Sequence, residues 1–359
     1  MNAFPKKLIT VALFCSIAPA IQAQPGDTSF FAFDRFGRRF TADQLIMADP
    51  TLSFMGGGGC TTAGIFNLDF SQDPGFTPAR QAVACQVFSD LSALLVAADD
   101  PYTNAPNPGA FVNIQFRDFT ALLPPPPPNA LAAASAYFSW LDTPQDEPNL
   151  HSIHDDYRPV SLMNGVLDGQ VWNTINGGFD AWFCTRRFKV INTPQALAHG
   201  FVVVNWNAPN PWFLGPTLPV PVGQYDLYTV LAHEAMHMLG FASGMDANLD
   251  CVFGGSEYVF RFDTHVSQSG SDLVIDPVLC DGTSWTSNLS GSFNTTPGNC
   301  TTEVVGTPIY APATFEPGSS LSHFDGTCNG GVPFLMHPNV NNPAGQSRIP
   351  LQPEVDVLC

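Results

Sequence analysis

The sequence predicts an α+β fold, and three observations carry that expectation. Two short segments, "IFNLDF" at 65–70 and "AFVNIQFRDF" at 110–119, alternate apolar and polar residues with the period of two of a half-buried strand. Between them, "TPARQAVACQVFSDLSALLVAA" at 77–98 repeats apolar residues at helical spacing. Far downstream, "DLYTVLAHEAMHMLG" at 226–240 reads as a second helix with its own start and stop signals.

Residues 1–23 hold Lys6 and Lys7, an apolar run from Leu8 to Ala18, and small residues suited to cleavage. This pattern is expected of a secretory signal peptide, because the run is shorter than the ~20 residues a membrane span needs. An exported product, secreted or periplasmic, follows. Of nine cysteines, Cys15 leaves with the leader, and the even remainder predicts disulfides in an oxidising compartment. Residues 24–60, with the basic patch "DRFGRR" and the run "MGGGGC", read as an irregular N-terminal extension, conceivably a pro-segment.

Residues 61–243 are expected to form one catalytic lobe. Thr77 can cap the first helix and Pro78 suits its first turn, while Val83, Val87, Phe88, Leu91, Leu94 and Leu95 form its apolar stripe. Five consecutive prolines after Leu123 dictate an extended surface loop. "HGFVVVNWN" at 199–207 is the best later strand, with His199 at its start read as a strand-end residue rather than a ligand; His151 and His154 fall in a polar loop. Residues 244–320 then hold strand-like "SEYVFRFDTHV" and "SDLVID" and three glycosylation sequons, at Asn288, Asn294 and Asn299. The acidic stretch "GMDANLD" leaves structural calcium open.

Charge limits the partners. With 31 acidic against 13 basic residues and a net charge of −18, the surface repels phosphate backbones and anionic lipid heads, so neither nucleic acid nor membrane is an expected partner. A protein or peptide substrate, met by a monomer, is the expectation.

The chemistry is concentrated in "HEAMH". Asp226 caps this helix and Gly240 stops it. His233 and His237, four residues apart, share one face with Cβ atoms about 5–6 Å from each other. Both imidazoles can therefore reach one Zn²⁺ at about 2.0–2.1 Å. Glu234 falls beside the metal, where its carboxylate can take a proton from water. A catalytic zinc needs a third protein ligand, and the residues by themselves leave Glu257, His265 and His323 as candidates.

"HEAMHMLGF" resembles the metzincin zinc-peptidase signature HExxHxxGxxH, except that Ser243 stands where the last histidine belongs. In the leishmanolysin-like branch a long insertion separates that glycine from the third histidine, and "SLSHFDGTCNGGVPFLMHP" is similar to the segment that follows it. The resemblance implies a zincin-like two-lobed domain with a twisted mixed sheet, an active-site helix and an irregular disulfide-bonded lower lobe. It implies His323 as third zinc ligand, Met336 as the Met-turn methionine under the site, Glu234 as general base and Gly240 as the turn at the helix end. Residues 244–320 become the insertion, and 321–359 the lower lobe closed by a final helix in "GQSRIPLQPEVDVLC". His337 falls beside the cleft. The function implied is a secreted zinc endopeptidase. The alternative is a non-catalytic secreted binding or adhesion module that keeps the fold.

Overall fold

A computed structural model describes, with short breaks, residues 31–47, 63–95, 111–139, 166–182, 197–245, 252–273 and 300–358. The elements run β1 (Phe31–Phe33), β2 (Arg39–Thr41), α1 (Ala42–Leu45), β3 (Phe66–Gln72), α2 (Pro78–Leu94), β4 (Val112–Asp118), β5 (Ala132–Ala136), β6 (Phe138–Ser139), β7 (Val166–Leu167), α3 (Gln170–Gly177), β8 (Gly200–Val204), β9 (Trp212–Phe213), β10 (Tyr225–Asp226) and α4 (Leu227–Leu239). Short strands β11 (Val252–Phe253), β12 (Ser256–Glu257), β13 (Val259–Phe260), β14 (Val266–Gln268), β15 (Asp272–Leu273), β16 (Thr302–Val304) and β17 (Thr307–Pro308) precede α5 (Gln352–Asp356). The architecture is α+β with a mixed sheet.

The central sheet has the order β3-β4-β8-β5, with β3, β4 and β8 parallel and the edge strand β5 antiparallel to β8. Period-two alternation sorts its side chains. Phe66, Leu68, Val112, Ile114, Phe116, Val202 and Val204 enter the core shared with α2 and α4. Phe201, Val203, Ala133 and Tyr137 project to the opposite face.

The segment read as an irregular extension packs on that opposite face. β1 pairs with β2 and with β6, which continues β5 past Tyr137. Ala32, Phe40, Leu45 and Met47 join Tyr137, Trp182 and Phe201 in a second core. Its apolar residues come in short runs, Phe30–Phe33 and Leu45–Met47, separated by the basic patch, and neither run is long enough for a strand or helix period to register.

Other boundaries differ from expectation. The helix expected over 77–98 ends at Leu94, which is exposed, because only Ala84, Val87, Phe88 and Leu91 are fully buried against the sheet and α4. The strand expected over 199–207 is confined to Gly200–Val204, and "SEYVFRFDTHV" breaks into β12, β13, a 3₁₀ turn at Phe262–His265 and β14. The final helix is only Gln352–Asp356, since Pro350 and Pro353 admit a helix start but not a longer helix before it. The signal peptide, His151, His154, the sequons and "DANLD" lie outside the described residues, as does nearly all of the proline run.

The stretch ahead of α5 fastens the start of α4. Arg348 donates from Nε and Nη2 to the two carboxylate oxygens of Asp226 at 2.8 and 2.7 Å, and from Nη1 to the Pro216 carbonyl at 2.6 Å. Asp226 also caps the helix, accepting from the Thr229 amide and hydroxyl at 3.3 and 2.6 Å. The Asp226 side chain is 1% exposed, so Arg348→Ala strands a buried carboxylate. The expected cost is about 3–5 kcal/mol in chemical denaturation; a loss under about 1 kcal/mol would show that α4 does not depend on this pair.

Candidate metal centre

α4 is buried on nearly every side, with Tyr228 its least covered residue, because its sequence is apolar all round except for the motif. It lies between β5, β8 and α2, which fixes the direction of His233, Glu234 and His237. Gly240 ends it at φ +123°, a conformation that only glycine adopts freely, and its amide donates to the His237 carbonyl at 3.2 Å. The reversal brings Phe241 back so that its carbonyl accepts from His237 Nδ1 at 2.6 Å.

His323 arrives from the far end of the chain. The Tyr310 amide donates to the His323 carbonyl at 2.7 Å, the Leu321 amide to the Tyr310 carbonyl at 2.8 Å, and the Phe324 amide to the Met336 carbonyl at 2.7 Å. Cys300–Cys328 ties the strands around β16 to the loop after His323; Cys85 is also disulfide-bonded. Leu321 takes φ +62°, a conformation costing a bulky residue on the order of 1–3 kcal/mol, two residues before the histidine it helps aim. Ser243 lies on the same junction, its amide donating to Ser322 Oγ at 2.9 Å.

Within this frame three imidazoles converge. His323 Nε2 lies 3.1 Å from His233 Nε2 and 3.2 Å from His237 Nε2. Each Nδ1 faces a backbone carbonyl: His233 that of Leu335 at 2.8 Å, His237 that of Phe241 and His323 that of Ser319 at 2.7 Å. A carbonyl oxygen only accepts, so each Nδ1 carries the proton and each Nε2 presents a lone pair. Burial reinforces the neutral form, pushing His233 down to about 4 and His237 and His323 well below the usual histidine range.

Three lone pairs at such separations repel unless a cation lies between them. Tetrahedral ligands at about 2.0–2.1 Å stand about 3.3–3.4 Å apart, close to the separations observed. The donor set therefore fits a metal ion, and the Nδ1 bonds supply the orientation that metal-binding histidines need. Among the described residues this is the one such group of His, Cys, Asp or Glu side chains.

Glu234 follows His233 on α4 and is buried like it. Its carboxylate accepts from the Ala134 amide of β5, while Oε2 is buried with no partner. Burial pushes it up to about 7, against the pull of the Arg35 charge. Met336 is fully buried, and its amide donates at 2.5 Å to Glu354, whose other oxygen accepts from the Leu351 amide at 2.6 Å. Leu335, whose carbonyl holds His233, is thus fixed from α5.

His265 lies at the end of the 3₁₀ turn, outside the histidine cluster. Glu257 is in β12, a strand as expected, with its side chain outside the described atoms. His337 follows Met336, with its ring against Gly326. His199 is fully buried, accepting from the Asn113 amide at Nδ1 (2.8 Å) and bonded through Nε2 to Asp180 (3.0 Å), a structural tie between strands. The sequence reading missed Arg35 and Glu354. "DRFGRR" was a visible signal, a basic run in an acidic chain; a lone glutamate in "QPEVD" offered none.

No helix among the described residues is long and apolar enough to cross a membrane. No protein-family model matches the chain, and neither curated proteins nor solved structures yield a match.

Proposed function

We propose that this chain is an exported zinc endopeptidase of metzincin type, resembling the leishmanolysin-like branch. The observation that carries the reading is the meeting of three Nε2 lone pairs, two from α4 and one from His323, 86 residues beyond His237, with Glu234 next to His233 on the same helix. Imidazole ligands in this number suit zinc, and the leader and the Cys300–Cys328 disulfide suit export.

A bound zinc ion supplies Lewis acidity, lowering the pKa of water and polarising a peptide carbonyl. The chain's own groups do the remainder. His233, His237 and His323 hold the ion, each kept neutral and aimed by its carbonyl partner. Glu234 Oε2, unpartnered, takes the proton of the attacking water and passes it to the leaving nitrogen. β5 is an edge strand, paired in the central sheet only with β8, so an extended peptide can align along its outer side.

Treatment with 1,10-phenanthroline is expected to abolish hydrolysis of an unstructured protein substrate, and one equivalent of Zn²⁺ to restore most of it. Hydrolysis indifferent to the chelator would sink the reading.

A further inference from the structure

A cavity of about 540 Å³ opens beside the metal centre, bounded by His237, the end of α4, β5 and β6, α3, and residues 260–265. Its walls are mixed: Phe138, Trp172, Phe260 and Phe262 give one part an apolar surface, and Ser135, Asn176 and charged side chains line the rest. Two arginines reach it, in different states. Arg261 is neutralised by a two-point ion pair with Asp168, both bonds at 2.6 Å, and stacks on Trp172. Arg35 has no such pair. Its amide is anchored to Ser135 Oγ of β5 at 2.8 Å and its guanidinium lies on the Phe36 ring at 4.6 Å, but its Nε is buried without a hydrogen-bond partner. Of the carboxylates around it, Asp34 is bonded to Arg38, Asp356 is exposed and bonded to Gln352, and Glu234 attracts the Arg35 charge but leaves its Nε without a hydrogen bond.

A buried guanidinium N–H with no acceptor is costly unless a ligand supplies one. A carboxylate supplies both the opposite charge and an acceptor, and a guanidinium receives it in two-point geometry. The chain's net charge of −18 makes a local positive centre the more selective, since the rest of the surface repels acidic ligands. Resting on the peptidase reading, we propose that this cavity receives a substrate side chain near the scissile bond and that Arg35 selects an acidic residue there. The apolar walls take the methylene stem of glutamate or aspartate, and Arg35 takes its head. Arg35 is thereby a specificity residue supplied by the N-terminal segment, whose β1 and β2 are built into the fold.

The test uses the full chain with zinc and peptides that carry Glu or its isostere Gln at each position around the central bond. Cleavage rates are read on ordinary peptides, and equilibrium binding by calorimetry on versions whose central amide is reduced to CH2–NH. At one position Glu is expected to exceed Gln by about tenfold or more in both readings, the scale of a hydrogen bond to a charged group. Arg35→Gln brings that ratio near one, Arg35→Lys retains part of it, and Arg35→Glu shifts preference toward Lys. Equal binding and cleavage of Glu and Gln peptides by the unaltered chain, which needs no variant to fold, overturns the proposal, as does a ratio undiminished in Arg35→Gln. Glu-selective binding with no cleavage of any peptide upholds the pocket and overturns the peptidase reading.

Discussion

His323→Ala is expected to empty the metal centre. The unaltered chain should carry one zinc per molecule after dialysis, read by elemental mass spectrometry, and the variant close to none. Removing a group that merely orients a ligand lowers metal affinity about 10- to 100-fold; removing a ligand should cost more, so the expected loss exceeds 100-fold. The reason lies in the geometry. His233 and His237 present their Nε2 atoms from one face of α4, and His323 closes the triangle at 3.1 and 3.2 Å. Two imidazoles leave zinc with two open positions and no third anchor. Because His323 is buried and bonded to Ser319, its removal also leaves a small cavity at the junction of Ser243 and Ser322, and a modest fall in Tm is expected. Zinc retained at full stoichiometry would move the third ligand to Glu257 or His265 and undo the assignment.

Glu234→Gln should do the opposite: keep the metal and lose the reaction. The substitution preserves shape and removes only the ability to accept a proton, so zinc content should match the unaltered chain. A positioned general base contributes about 10²–10⁴-fold, and kcat/KM for peptide hydrolysis is expected to fall within that range. Stability should not fall with it. Glu234 buries one carboxylate oxygen without a partner, and a neutral amide is cheaper to bury there, so Tm should hold or rise. Such a residue costs the fold something and serves the site, a common mark of function. A variant that keeps peptidase activity would remove Glu234 from the mechanism; one that keeps zinc, fold and a tight peptide ligand while the unaltered chain hydrolyses nothing would favour a binding module.

Much of the site was legible because it is local. The four-residue spacing of His233 and His237, Asp226 at the cap and Gly240 at the stop all act within a few turns of one helix, and α4 spans Leu227–Leu239 as those signals require. The alternation in "AFVNIQFRDF" likewise located β4 and sorted Val112, Ile114 and Phe116 from Asn113 and Gln115. Where local signals were weak the reading was too coarse: Leu94 fits the helical period but finds no surface to bury against, and 31–47 lacks any period yet forms strands under the sheet.

The sequence by itself determined that His233 and His237 share one face of α4 with Glu234 between them in sequence, because helical geometry places residues four apart on one face. It named His323 only through resemblance, with Glu257 and His265 left as rivals. Tertiary structure alone decided that His323 meets the pair, that Arg348 from the end of the chain clamps Asp226, that Glu354 pins the turn holding His233, and that Arg35 from its beginning reaches the same cavity. Most of these contacts join residues many tens of positions apart, the shortest, Glu354 to Met336, spans 18, and none has a period that a sequence can display. They exist because burying two faces of one sheet and both sides of α4 draws distant segments over the same helix.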